Sequence, residues 1–244
     1  VSLGSALLPT LSKYWSEKKV QLVVNTSEFY LRLNLFLVLP ASVGLFFLSH
    51  PIVEVLFHRG HFSSHDVLIT SQVLKIWALM MIPTSCIKIL APTYYAVKNT
   101  WFPAVVSMIS LILHISLAPI MIHYWGLWGL SVSCLLSACV NFILLAVFFS
   151  KHISNISYRK VLKTVLKTTT ICVPLALVIL QFEKIHNLMK MILPGLWSLR
   201  MALVTTILLG GGVIILLSHI FKFEEYDLTF KKVLTKMSLA KVKN

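Results

Sequence analysis

Charged residues are scarce in this sequence, and acidic residues are the scarcest. Charged residues make up 12% of the 244 positions, and only 8 are Asp or Glu, whereas a soluble domain carries roughly 25% charged residues. Apolar residues account for 57% of the chain, and the mean hydropathy is +0.85. So few hydrated side chains exclude an ordinary soluble enzyme and indicate a chain whose solvent is the lipid bilayer.

Cysteine motifs and catalytic motifs are also missing. The four cysteines lie in apolar stretches and form no CxxC pair, which disfavours both a disulfide framework and a cysteine zinc site. No nucleophile with its base, phosphate-cradling loop or dinucleotide motif is present. The glycine run 210–212 lies inside an apolar segment, where it favours close helix packing. We therefore predict that the protein is not an enzyme and needs no cofactor.

Three histidines, His58, His61 and His65, lie close together in one short polar segment. Their spacing matches no standard zinc pattern, and no thiol or well-placed carboxylate completes a ligand set. Ser63 followed by Asp66 instead predicts a capping box at the start of a helix. We therefore predict no metal site in this segment.

Long apolar runs are abundant, and about 20 such residues are enough to cross ~30 Å of hydrocarbon as a helix. The chain also opens on an apolar stretch, Val1–Leu11, which we interpret as the tail of a helix in a longer protein. A short apolar piece, Ile52–Phe57, follows Pro51. The sequence thus predicts an all-α polytopic membrane protein with six full spans: Phe29–His50, Val67–Ala96, Phe102–Ile122, Gly126–Phe149, Val165–Phe182 and Met201–Phe221.

The basic residues, which give a net charge of +14, predict the orientation of these spans. With the C-terminus in the cytoplasm, fifteen Lys and Arg residues fall on the cytoplasmic side and four on the other, as the positive-inside rule requires. Two basic amphipathic stretches, Tyr158–Lys167 and Phe230–Val242, are suited to anionic lipid headgroups. Because the cations alternate with apolar runs, we expect membrane lipids as partners and no nucleic acid.

Two cations within or at the edge of predicted spans are the candidate substrate-binding residues. Lys88 lies about two turns before the end of the second span, and Arg32 follows Glu28 by four residues at the edge of the first. Ionisable residues in spans are functional candidates, and both could line a path for an anion. Alternatively, Lys88 extends to the interface and Arg32 anchors the first span.

Five motifs occur in a fixed order along the chain: Leu8–Ser12, Phe36–Leu45, Leu56–Phe62, Lys88–Ala96 with Pro103, and Gly129–Ser131 with Ser137, Ala138 and Asn141. The first, LPTLS, ends the first helical piece, and KILAPTYYA, which begins at Lys88, closes the second span. In residues and order, these motifs resemble those of the MurJ/MviN lipid II flippase family. The resemblance covers residues 8–141, whereas 150–244 agree only in hydropathy and helix count.

This resemblance implies the second lobe of a transporter fold of the multidrug/oligosaccharidyl-lipid/polysaccharide exporter (MATE-like) superfamily, plus two extra C-terminal helices. Residues 1–150 would form the lobe, 151–221 the extra helices with a basic lead-in, and 222–244 a cytoplasmic tail. It implies translocation of lipid II across the bacterial inner membrane by alternating access, with the lipid tail in a groove beside the last two helices. Other cell-wall synthesis proteins are further candidate partners.

A second exporter function stays open at this point. The same superfamily includes polysaccharide-unit flippases and ion-coupled drug antiporters. An antiporter needs a carboxylate deep in a span to bind its coupling ion, and we expect Glu28 and Glu54 to lie toward span ends. The sequence therefore favours the lipid II flippase over the antiporter.

Overall fold

The computed structural model of the protein describes residues 3–153, 156–192 and 196–221, and within them it contains helices and no strand. The predicted basic tail, 222–244, lies outside the described residues. The helices are α1 (Leu3–Ser16), α2 (Val20–Phe47), α3 (Ser49–Phe57), α4 (Ser64–Ala96), α5 (Trp101–Val147), α6 (Phe149–His152), α7 (Tyr158–Leu180), α8 (Phe182–Ile192) and α9 (Leu196–Ile220).

Five helical segments of the described chain are long and apolar enough to cross a membrane. They are Val20–Phe47, Ser64–Ala96, Trp101–Val147, Tyr158–Ile192 and Trp197–Ile220. The prediction of a multi-pass, all-helical membrane protein is thereby confirmed.

The longest helix, α5, is a hairpin of two spans folded at Gly126. Gly126 has φ 63° and ψ −146°, a conformation that residues with a Cβ strongly disfavour. Val106 and Leu145 share one core cluster, although a straight helix would hold residues so far apart in sequence ~58 Å from each other. The third and fourth predicted spans therefore correspond to the two arms of α5, and together with the other four segments they give six helical stretches of spanning length in the described chain.

Several helices begin earlier than hydropathy predicts. α2 begins at Val20 rather than near Phe29, and α7 begins at Tyr158, so that the predicted basic amphipathic stretch forms its first turns. Hydropathy detects only the part of a helix that suits lipid, whereas the backbone hydrogen bonds continue into the polar interface. As a consequence, Glu28 lies eight residues inside α2 instead of just before it.

Helix α8 was not predicted at all. Its eleven residues are too few for a span, and Glu183, Lys184 and Lys190 interrupt the apolar pattern. Ile185 and Met189 are half-buried on one face, four residues apart as one helix face requires. α8 packs chiefly against α9, so a short amphipathic helix joins the last two long ones.

Polar side chains fix the register of α2 against α4, two helices that pack extensively against each other. The Ser27 and Thr93 hydroxyls are 3.1 Å apart, and Asn34 Nδ2 donates to Ser85 Oγ at 2.9 Å. Hydrogen bonds between helices are one way in which membrane proteins hold helices together. Because Asn34 follows Ser27 on α2 while Ser85 precedes Thr93 on α4, the two helices run antiparallel.

Candidate functional site

An apolar groove of about 410 Å³ lies between α2, α3, α7 and α9. No charged side chain lines it, and its single hydroxyl, on Thr206, is occupied by donation to the Ala202 carbonyl at 2.7 Å. The surface is therefore suited to a hydrocarbon chain rather than to a polar group. The lining residues are Phe36, Leu37, Pro40, Ala41, Gly44, Leu45, Leu48, Ile52, Leu175, Ile179, Thr206, Ile207, Gly210, Gly211 and Ile214.

Small residues determine the shape of this groove. A Cβ at Gly210 would lie 2.8 Å from Leu175 Cδ1, so glycine allows α9 to approach α7 closely there. A Cβ at Gly44 or Gly211 would meet nothing within 4 Å, which leaves open space along the groove walls. The family resemblance implied a groove beside the last two helices, but the lining from α2 and α3 could not be predicted, because those residues lie more than 120 positions before the ones on α7 and α9.

Arg32 lies at one end of the groove. It precedes the groove-lining residue Phe36 by one helical turn on α2. Its side chain is largely buried, with 16% of its surface exposed. On α2, a cation therefore lies one helical turn from the first apolar residue of the groove lining.

Glu28 forms an ion pair with Arg32 and also holds the N-terminal end of α7. Its Oε1 lies 3.9 Å from Arg32 Nε and 3.5 Å from Lys160 Nζ, and the Ser157 amide donates to its Oε2 at 3.4 Å. The predicted Glu28–Arg32 pair is therefore present, with Lys160 added from a distant segment. Two cations around one carboxylate give this cluster a net positive charge.

Lys88 occupies the same depth as Arg32 but another face of the bundle. The pairing of Asn34 with Ser85 and of Ser27 with Thr93 brings residues 32 and 88 to one level. Cys86 packs in the core with residues of α2, whereas Lys88 is exposed and lies about 200° round α4 from it. The structure therefore aligns the two candidate cations in depth without bringing them together in one pocket.

A second cavity, of about 380 Å³, lies at the opposite end of the groove, between α3, α7, α8 and α9. It shares Ile179 with the groove, and its lining includes His50, Glu54, Glu183 and His186. His50 Nδ1 is 3.7 Å from Glu54 Oε2. Polar groups therefore flank the groove at both ends.

Two lone polar residues in the α5 hairpin behave differently. The His114 Nδ1 and Ser133 Oγ atoms are 3.0 Å apart, so a hydrogen bond joins the two spans of the hairpin. The Asn141 Oδ1 is buried and has no hydrogen-bond partner among the described residues.

The histidine segment leads into α4, which begins with the predicted capping box. The Ser63 amide donates to Asp66 Oδ2 at 2.8 Å, and the Asp66 amide donates to Ser63 Oγ at 3.3 Å. Within the described ranges, no three His, Cys, Asp or Glu side chains are placed to hold a metal ion together.

Comparison with known proteins gives one consistent family. The model of the family described as Lipid II flippase MurJ matches residues 1–197. A probable lipid II flippase MurJ from Bdellovibrio bacteriovorus is 42% identical over 167 residues, which cover 68% of this chain and 32% of that protein. A lipid II flippase MurJ from Burkholderia cenocepacia is 30% identical over 152 residues, or 62% of this chain and 30% of the relative.

A solved structure agrees with the fold. A lipid II flippase MurJ in an inward closed conformation superposes with a TM-score of 0.70 and 24% identity, covering 91% of this chain and 42% of that one. This likeness confirms the predicted fold class, an all-helical lobe of the MATE-like kind. The chain spans about a third of the length of the two relatives named above. On the family match over residues 1–197, the chain belongs to the lipid II flippase MurJ family.

Proposed function

We propose that the protein translocates lipid II, the lipid-linked peptidoglycan precursor, across the bacterial cytoplasmic membrane by alternating access. Membership of the family supports this proposal. Translocation breaks no covalent bond, so the protein works as a transporter and not as an enzyme. It requires cations that receive the diphosphate headgroup, because an unpaired charge in hydrocarbon is very costly.

The observation that carries the proposal is an apolar groove that ends beside a buried cation. Lipid II combines a long hydrocarbon tail with a diphosphate. The groove has an apolar wall that suits the tail, and Arg32 at its end has a positive charge that suits the diphosphate. We assign the tail to the groove and a headgroup oxygen to Arg32. Because lipid tails are as apolar as the groove wall, the groove positions the tail rather than extracting it from the bilayer.

Lys88 is the second proposed substrate cation. It is exposed at the depth of Arg32, and it begins the motif KILAPTYYA that first indicated the family. An exposed lysine on this face can meet an anion in a cavity formed with the rest of a longer transporter. Each charge-assisted contact to phosphate contributes roughly 1.5–3 kcal/mol.

The cellular setting follows from the distribution of charge. We place the protein in the bacterial inner membrane with the C-terminus in the cytoplasm, because fifteen of the assigned Lys and Arg residues would lie on that side. The first turns of α7 carry Arg159, Lys160, Lys163 and Lys167, which suits contact with anionic lipids there. Other cell-wall synthesis proteins are further candidate partners.

The test is translocation of lipid II by cells that depend on this protein. Arg32→Gln and Lys88→Gln should each lower translocation about tenfold, the effect of losing ~1.4 kcal/mol of substrate binding. Lys88→Arg keeps the charge and should be milder. Membrane levels should not fall, since removing a charge favours insertion. Normal translocation by a Gln variant at normal expression would remove that residue from the site, and no translocation by the unchanged protein would refute the function.

The ion-coupled antiporter has less support. Glu28 is a carboxylate buried within α2, with 6% of its side chain exposed, which is the residue type that the antiporter requires. It is already neutralised by Arg32 and Lys160. A carboxylate held by two cations in this way binds a further cation poorly.

A further inference from the structure

Helices α1 and α4 end in the same unusual turn. Lys18 follows α1 with φ 58°, and Lys98 follows α4 with φ 62°. Each turn has the two backbone hydrogen bonds of a Schellman motif: Lys18 N to Trp15 O and Lys19 N to Tyr14 O, then Lys98 N to Tyr95 O and Asn99 N to Tyr94 O, all between 2.9 and 3.0 Å.

Lysine is an unexpected residue at these two positions. A helix that ends in a left-handed residue usually has glycine there, because a Cβ crowds the following carbonyl. Lys18 and Lys98 are the non-glycine residues with positive φ in the described part of the chain. Strained residues persist where the surroundings impose them, and they often mark functional sites.

Both lysines line one cavity of about 470 Å³, outside the groove. The other lining residues are Ser12, Trp15, Ser16, Val20, Tyr95 and Ala96, and no carboxylate is among them. The nearby Glu17 is paired with Lys19 at 2.7 Å, and this contact lowers the pKa of the Glu17 carboxyl. The cavity therefore has two ammonium groups and serine hydroxyls at its edge, with no acid lining it to neutralise them.

We propose that this cavity, formed by the ends of α1 and α4, binds a phosphate group. The ammonium groups of two lysines are donors suited to phosphate. In the orientation proposed above, this end of the bundle lies at the cytoplasmic surface, where membranes carry anionic phospholipids. A phospholipid headgroup and free phosphate offer the same chemistry, and the test below separates the two sources.

The two left-handed turns allow the lysine charges to be removed without destabilising the backbone, because glycine is favoured at both positions. In the double variant Lys18→Gly/Lys98→Gly, both charges are lost while the backbone gains the residue that each turn favours. Thermal unfolding should stay unchanged or move to higher temperature. The matched control is Lys13→Gln/Lys19→Gln. It removes the same number of charges from two lysines near the end of α1 that do not line the cavity. Lys18→Gln/Lys98→Gln removes the charges without altering the turns and serves if the glycine variant does not fold.

Binding is measured on the purified full-length protein, with no transport step. Native mass spectrometry compares phosphatidylglycerol with phosphatidylcholine, and equilibrium dialysis measures inorganic phosphate. If the cavity holds a lipid headgroup, both cavity variants should bind phosphatidylglycerol at least tenfold more weakly, while the control stays within twofold of the parent. If it holds free phosphate, the same loss should occur for inorganic phosphate alone.

Two results would overturn the proposal. In one, the cavity variants and the control bind both phosphate compounds equally. In the other, the unchanged protein binds neither. Because translocation is not measured, failure here leaves the flippase proposal standing, and failure of translocation leaves this site standing.

Discussion

The substitution Gly211→Leu should block the groove without disturbing the fold. Gly211 lines the groove, and a Cβ built there meets nothing within 4 Å, so the leucine side chain extends into open space. Leucine is also a better helix former than glycine, which costs about 0.8–1 kcal/mol relative to alanine inside a helix. The adjacent Gly212 offers a matched control, because it has the same free space but does not line the groove.

The expected size of the effect follows from crowding. A hydrocarbon tail forced past the added methyl groups meets the cost of an overfilled core, about 1–3 kcal/mol. That range corresponds to a loss of roughly five- to 150-fold in occupancy of the groove. Gly212→Leu should gain the same helix stability and leave occupancy unchanged.

The assay measures lipid II on the outer surface with a membrane-impermeant hydrolase, in cells that express each variant at matched levels. Gly211→Leu should lower the accessible fraction, and Gly212→Leu should behave like the parent. Equal translocation by all three proteins would show that the tail does not occupy this groove. A loss in both variants would show that α9 must bend at its glycines, and would refute the steric explanation.

Two further predictions concern Glu28 and the C-terminus. Glu28→Gln should lower the free energy of unfolding by about 2 kcal/mol, because a largely buried Arg32 loses its counter-charge. Glu54→Gln, at a carboxylate with 31% of its side chain exposed, should cost less than about 0.5 kcal/mol, and equal melting temperatures would refute the difference. A reporter active only in the periplasm, fused after Asn244, should give no signal, and a strong signal would reverse the orientation.

Features set by nearby residues could be predicted from the sequence. The Ser63–Asp66 capping box needs a separation of only three residues, and its hydrogen bonds are present. The boundary at Gly126 was predicted as a gap between two apolar runs, although the structure replaces a loop with a single glycine break. Both are local consequences of side-chain chemistry and backbone sterics.

Features that depend on packing could not be predicted. Glu28 and Lys160 lie 132 residues apart, and nothing in the spacing of either indicates the other. Lys18 and Lys98 have the left-handed backbone conformation that usually requires glycine. Because neither residue is glycine, nothing in the sequence indicated the two turns. The candidate cations Arg32 and Lys88 were found because they are charged and lie in apolar runs. That they lie on different faces of the bundle became clear only from the packing of α2 against α4.

Helix α7 connects the two ends of the proposed lipid site. Leu175 and Ile179 form part of the groove wall. The N-terminal end of the same helix contacts Glu28 through the Ser157 amide and Lys160. This helix has 23 residues and is about 35 Å long, and Pro174, which cannot donate a backbone hydrogen bond, lies next to Leu175. A phosphate that binds Arg32 competes with Glu28 for the guanidinium at a contact that is already long, 3.9 Å. Under the proposed function, headgroup binding would therefore change the charge balance at Glu28, the residue that anchors the start of α7.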